Sequence, residues 1–335
     1  RAAAGGSTRE RARPRAPPRA TPRPRPGLEQ RRLLIVRGVR SELRGLRRRI
    51  AERAAESDIW DAVELARHDE RPYTLDYTER LLDDFTELHG DRVGGEDPAI
   101  VAGLGRFRGR TIALVGHQKG RDLKQRAYRN FGSARPEGYG KAIRVFELAS
   151  RLGFPVLTFV DTQGAHPGVT SEERGQAGAI ARSMLAMARL DVPSVAVVIG
   201  EGGSGGALAI AVADRVLMME NSVYSVISPE GGAAILWRDS DQRRKAAAAF
   251  KPTARFCLEL GVIDGVVPEP SGGANKDYDR AARMLGDAVA HAFETIDDEP
   301  PALRRRRRRA RFRQLGVWLE TTVTDEDVLA PEELV

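Results

Sequence analysis

Cysteine is almost missing from this chain of 335 residues: Cys257 stands alone. A single thiol excludes an intramolecular disulfide and any cysteine-based zinc site within the chain, and it suits a reducing compartment. Long apolar runs are missing too. No stretch approaches the ~18 residues of a membrane-spanning helix, and no apolar leader opens the sequence. Aromatic residues make up only 6%, so a nucleic-acid surface of basic residues interleaved with stacking rings has little to be built from. The five histidines show neither metal-like nor triad-like clustering, and there is no Gly-Lys-Ser/Thr phosphate loop. The first methionine is Met184, which predicts a processed product, a fragment or the downstream part of a longer polypeptide. What is present, 41% hydrophobic residues over this length, is enough for a core of two or three layers. The class is a globular protein, expected in the cytoplasm.

The net charge of +7 is local. Residues 1–26 hold eight arginines and one glutamate, and Arg304–Arg313 holds eight more arginines, so the body is mildly acidic. Nucleic-acid binding is therefore not expected as the main role, and the second arginine block reads as a solvated face or a partner contact. Four regions are expected. Residues 1–27, rich in Arg and Pro with almost nothing to bury, read as disordered. Residues 28–90 read as N-terminal helices, including a helix over Asp76–His89 with Leu81, Leu82, Phe85 and Leu88 on one face. Residues 91–296 form the main domain, and 297–335 the Arg-rich segment with an acidic tail.

In the main domain, Ala99–Phe107 and Thr111–Val115 read as a hairpin around Arg108-Gly109-Arg110. Helices and short buried strands then alternate: helix 137–152 before Val156–Val160, helix 171–190 before Ser194–Ile199, helix Ala207–Ala213 before Arg215–Met219, then Val223–Ile227. That alternation argues for an α/β fold with a mostly parallel sheet. Thr170 with Glu173 reads as a capping box, and Ser228-Pro229 as a helix start.

The densest chemical signal is Gly200-Glu201-Gly202-Gly203-Ser204-Gly205-Gly206, directly after a buried strand. Glycine lets the backbone approach a ligand, and the helix that follows offers unpaired N–H groups to an anion. Three chemistries overlap here. Gly200-x-Gly202-x-x-Gly205 with Glu220 fits a dinucleotide fingerprint, although the next strand follows too soon for a crossover helix. Ser204 within Gly202–Gly206 fits a nucleophile elbow whose histidine would have to be His291. Backbone N–H groups at Gly205 and Gly206 fit an oxyanion hole.

Further motifs follow the other strands: Gly116-His117-Gln118-Lys119-Gly120-Arg121, Asp161-Thr162-Gln163-Gly164-Ala165-His166-Pro167-Gly168 and Ile227-Ser228-Pro229-Glu230-Gly231-Gly232-Ala233. With Leu65-Ala66-Arg67-His68, Arg71–Tyr77 and Asn130-Phe131-Gly132, this ordered series resembles the α subunit of the carboxyltransferase of multisubunit acetyl-CoA carboxylase, over roughly residues 58–295. The resemblance implies a crotonase (ClpP-like) fold, stacked ββα units forming a spiral, preceded by N-terminal helices. It implies transfer of the carboxyl group from carboxybiotin, carried on the biotin carboxyl carrier protein, to acetyl-CoA, giving malonyl-CoA for fatty acid biosynthesis. The setting is an ATP-dependent complex that also contains biotin carboxylase. It implies activity only with a β subunit that bears a zinc ribbon, in an α2β2 assembly with the active site between α and β. One cysteine places that β half outside this chain.

Carried over, Gly205 and Gly206 are the catalytic pair, a hole for the biotin ureido oxygen. Lys119, Gly120, Arg121, Gly164 and Gly168 are the expected substrate-binding residues. No cofactor is expected on the chain itself, carboxybiotin being a co-substrate, and no metal. Asp161 is expected to brace its loop, and Glu172 and Glu173 to sit at a helix start. The chain departs from the family's usual Asp-Thr-Pro-Gly-Ala-Tyr-Pro-Gly, having Gln163 for Pro and His166 for Tyr. That predicts a looser turn and a titratable group near the site.

Overall fold

The computed structural model describes residues 56–316, all within the compact unit that begins at Arg53. A helix, α1 (residues 56–66), comes first, followed by α2 (Thr74–Leu81) and the strands β1 (Leu82–Glu87), β2 (Ile100–Phe107) and β3 (Arg110–His117). Short α3 (Leu123–Tyr128) and long α4 (Pro136–Leu152) lead to β4 (Val156–Thr162). Next are α5 (Val169–Glu173), α6 (Gln176–Arg189), β5 (Ser194–Gly203), α7 (Ser204–Leu208), β6 (Arg215–Met219) and β7 (Val223–Ser225). The chain continues through α8 (Pro229–Trp237), α9 (Arg243–Phe250), α10 (Ala254–Glu259), β8 (Gly265–Val267), α11 (Tyr278–Glu294) and α12 (Pro301–Arg313). No described helix is long and apolar enough to cross a membrane.

The strands form one sheet in the order β1-β2-β3-β4-β5-β6-β8, antiparallel from β1 to β3 and parallel from β3 onward. The β2–β3 hairpin turns at Arg108-Gly109 as expected, both residues with positive φ. β4 is buried along its whole length, as parallel strands covered on both faces must be. Its residues alternate: Val156 and Val160 join one core with α4 and α6, while Leu157 and Phe159 join another with Tyr77 and the apolar face of α11. α4 starts on Pro136 and stops at Gly153, whose left-handed conformation (φ 74°) ends the helix. β5 outruns the sheet. Its first part pairs with β4 and β6, and Glu201–Gly203 pair with β7 while Gly202 keeps Thr162 of β4 opposite it.

Several local expectations are corrected. Residues 76–89 are not one helix: α2 stops at Leu81, and the next six residues pair with β2 as an edge strand, bulged at Asp84 (φ 51°). Helix 171–190 is two helices broken at Gly175 (φ 79°), and the first starts from Gly168 without a side-chain cap, so the Thr170/Glu173 box does not form. Ser228 does cap α8, accepting from the Gly231 N–H at 3.1 Å. Arg304–Arg313 is no purely solvated face. Arg304 and Arg308 of α12 are buried, and Arg308 Nε and Nη2 donate to the Asp214 carboxylate, both at 2.8 Å. Residues 1–27, expected from composition to be disordered, and the acidic tail lie outside the described residues.

Candidate active site

The carboxyl ends of the central parallel strands put the quoted motifs on one edge of the sheet. β4 runs into the 161–168 loop and β5 into the glycine turn, so the two loops are neighbours. Helix α7 begins at Ser204, three residues earlier than expected, which places Gly205 and Gly206 in its first turn. No side chain caps this helix, and its first N–H groups have no acceptor within the helix.

The glycines are set by packing. At Gly203 a Cβ would collide with the Gln163 carbonyl, and at Gly206 it would lie 2.5 Å from Ala165 N and 2.7 Å from the Gly164 carbonyl carbon. The two loops therefore stack backbone on backbone, as only glycine permits. Gly205 differs: a Cβ there would meet nothing closer than Ile180 of α6, at 3.6 Å. The departing residues are accommodated. Thr162 Oγ1 braces the Gln163 turn by accepting from Gly164 N at 3.1 Å, and His166 Nδ1 lies 3.0 Å from Ser171 Oγ with its ring over Gly168. Gly164 itself takes a φ of 154° and Gly168 opens α5.

Beneath the turn lies a set of paired charges, buried at Asp161 and Glu201 and half-buried at Arg67 and Glu230. Lys119 Nζ stands 2.7 Å from Asp161 Oδ1 and 3.0 Å from Glu201 Oε1. Asp161 Oδ1 also accepts from the Glu201 N–H at 2.9 Å, so it braces the end of β5 beside it. Glu201 Oε2 receives Arg67 Nε at 2.8 Å, and Arg67 forks to Glu230 at 2.8 and 3.2 Å. Burial alone would push Lys119 down, but the Asp161 and Glu201 carboxylates overrule it and hold the ammonium above its ordinary value. Burial likewise pulls Glu201 up, and the Lys119 and Arg67 cations bring it below the usual carboxylate range. Both groups are charged at neutral pH.

Lys119 thus points at its own chain. Arg121 does the same: its guanidinium stacks 4.0 Å from the Tyr73 ring, donates to the carbonyls of Asp69 and Arg71, both at 2.8 Å, and pairs with Asp76. Gly120 is where the backbone of Gln125 and Arg126 folds back onto the turn, leaving no room for a side chain. The rival chemistries find little. Ser204 is exposed and left-handed (φ 51°), as an elbow would be, but no histidine hydrogen-bonds to it among the described residues. His291 sits exposed on α11 beside Glu294. The Glu220 carboxylate accepts the Glu269 N–H at 3.0 Å, so it is spent on the fold. No group of His, Cys, Asp or Glu among the described residues is placed to hold a metal.

Glu201, Arg67 and Glu230 were not singled out from the sequence. One signal was there: a carboxylate inside a glycine run, directly after an apolar strand, must find a cation once buried. Which cation was hidden, because Lys119 and Arg67 lie 82 and 134 residues away.

Known proteins resemble this chain over most of its length. Residues 36–316 match the family model for acetyl co-enzyme A carboxylase carboxyltransferase-like proteins. The acetyl-coenzyme A carboxylase carboxyl transferase subunit alpha of Thermus thermophilus is 54% identical over 284 residues, 84% of this chain and 90% of that protein. The Deinococcus radiodurans protein of the same name is 53% identical, covering 84% and 88%. Among solved structures, a transcarboxylase 12S with hydrolysed methylmalonyl-coenzyme A bound superposes with a TM-score of 0.55 at 21% identity, over 71% of this chain and 44% of that one. A Pseudomonas malonate decarboxylase hetero-tetramer in complex with coenzyme A gives 0.53 at 18%, over 66% and 90%. The fold is the crotonase fold expected from the motifs, nothing found favours a dehydrogenase or a hydrolase, and the chain belongs to the acetyl-CoA carboxylase carboxyltransferase α-subunit family.

Proposed function

We propose that this chain is the α half of a biotin-dependent carboxyltransferase that moves a carboxyl group from carboxybiotin to acetyl-CoA, giving malonyl-CoA in the cytoplasm. The observation that carries the reading is the uncapped turn at Gly205-Gly206, pressed against the 163–165 loop at the open edge of the sheet. When the N–CO2 bond of carboxybiotin breaks, its electron pair passes to the ureido group, and negative charge grows on the ureido oxygen. Two fixed N–H donors stabilise that charge, and losing one such donor typically raises a barrier by ~2.7–4 kcal/mol. The ureido anion takes a proton from the acetyl methyl, and the carbanion so formed attacks CO2. No side-chain acid or base of this chain enters those steps. Gly164 and Gly168 shape the loop facing the hole, while Lys119, Gly120 and Arg121 act by holding the turn after β3.

A shared site is supported by the apolar surface on the segments that follow the strands at this edge of the sheet. Leu123, Tyr128, Phe131, Val169, Val226 and Ile235 are large, apolar and exposed, and all lie in segments that follow β3, β4 and β7. Such a rim suits a partner surface, here a β subunit with a zinc ribbon in an α2β2 assembly, with the biotin carrier protein delivering carboxybiotin between them. The test is to purify the chain with and without a candidate β subunit and to follow carboxyl transfer from malonyl-CoA to a biotin derivative. The chain alone is expected to be inert and the mixture active. Full turnover by the chain alone overturns the shared site.

A further inference from the structure

The charges under the glycine turn form an unbroken row that runs from the buried Asp161 through Lys119 and Glu201 to the half-buried Arg67 and Glu230. Each comes from a different place in the chain: the end of β4, the turn after β3, β5 itself, the residue following α1, and the first turn of α8. Glu201 is the middle member. Its two oxygens take different cations, Oε1 from Lys119 and Oε2 from Arg67, and its N–H is held by Asp161. Only Gly202, Gly203 and Ser204 separate it from the donors at Gly205 and Gly206.

We propose that Glu201 and Arg67 are positioning residues for the oxyanion hole, which rests on the functional reading above. Glu201 is 5% exposed and both its oxygens are engaged, so it is not a group that substrate contacts. What it controls is the place where β5 leaves the sheet. Arg67 extends that control to the start of α8, because its fork reaches Glu230 as well. The segment ahead of the sheet thereby belongs to the site. A misplacement of about 1 Å in such a site costs on the order of 10²-fold in rate.

Charge and position predict opposite signs for one substitution. The row holds three carboxylates against two cations. Were its charge what mattered, removing one negative group near a developing anion would leave turnover unchanged or raise it. Glu201→Gln keeps the length of the side chain but turns one acceptor into an NH2 donor facing a cation. The end of the side chain must rotate, and the turn moves with it.

The experiment measures transfer kinetics of the α chain assembled with a candidate β subunit, for Glu201→Gln, Arg67→Lys and Gly206→Val, each checked for assembly and thermal unfolding. Glu201→Gln is expected to lower kcat by about 10–100-fold, in line with a sub-ångström shift, with the KM for acyl-CoA within about twofold. Arg67→Lys, which keeps the charge but loses the fork, is expected to fall less, and being near the surface it serves if Glu201→Gln does not fold. Unchanged or raised kcat in whichever of these variants assembles, with Gly206→Val inactive, overturns the positioning role alone. A raised acyl-CoA KM at unchanged kcat does the same. Full activity of Gly206→Val overturns the hole itself, and the positioning role with it.

Discussion

Gly205 and Gly206 are adjacent in the first turn of one helix, yet replacing them by alanine should give opposite results. Neither has a positive φ, so alanine's gain in helix propensity, up to ~1 kcal/mol, applies to both and cancels in the difference. What remains is the new Cβ. At 205 it meets Ile180 at 3.6 Å, an ordinary contact, whereas at 206 it meets Ala165 N at 2.5 Å and the Gly164 carbonyl carbon at 2.7 Å. Those are backbone atoms, so either α7 or the 163–165 loop must move, at the ~1–3 kcal/mol typical of overpacking. For a domain of this size each kcal/mol is worth about 2–4 °C in Tm, so the two variants should melt about 2–12 °C apart, Gly205→Ala higher. Activity in the assembled complex should separate further: Gly205→Ala within a few-fold of the parent, Gly206→Ala down by ~10²–10³ as an oxyanion donor is displaced. Equal melting temperatures would refute the stacked-loop packing, and equal activities would show that loop position does not govern the hole.

Three more outcomes follow from the same geometry. Ser204→Ala should keep most of the transfer activity, and a fluorophosphonate probe should leave Ser204 unlabelled, whereas stoichiometric labelling would restore the hydrolase reading. Arg308→Met should destabilise the fold by about 3–5 kcal/mol in urea titration, because it strips a fully buried fork from Asp214, while Arg306→Met on the exposed side of α12 should stay within about 0.5 kcal/mol. His117 is fully buried, and neither ring nitrogen meets a partner in hydrogen-bonding geometry, although the Phe159 backbone lies near enough to pull slightly upward. Burial, aided by the Lys119 ammonium, holds the ring down at about 3 against 6.5 when free. The unfolded chain therefore binds the proton first. His117 contributes stability above pH 6.5 that is lost as the pH falls toward 3, on the order of 4–5 kcal/mol over that range. Denaturant midpoints at several pH values should show this slope reduced in His117→Gln, and identical slopes would remove His117 as the cause.

The strands were legible where both faces are covered, because an apolar run as short as Val195–Ile199 between helical patterns fits a strand buried on both sides. β1 was not. Leu81, Leu82, Phe85 and Leu88 are spaced as well for a helix face as for anything else, and only pairing with β2, decided 20 residues later, makes Leu82–Glu87 a strand. The break at Gly175 was readable in principle, but a helical pattern on both sides concealed it. At the site, the glycine turn and the Asp161 loop were visible as motifs. Their stacking and the charges beneath them were not, since those depend on contacts between distant segments. For Lys119 and Arg121 the resemblance implied contact with substrate, and which groups of the chain lie beside them depends on segments far away in the sequence. In the fold Lys119 pairs with Asp161 and Arg121 with Asp76.

Arginine runs are commonly taken as the place where a domain has already ended. Here the seam lies beyond α12. Arg308 closes over the Met187 and Leu190 carbonyls and Arg304 over that of Asp191, so both guanidinium groups cap the end of α6, whose Ile180 faces Gly205 about two turns away. A protein cut, fused or tagged between residues 297 and 313 would unseat the far end of the helix that walls the site. A junction placed after Gln314 leaves that strut whole.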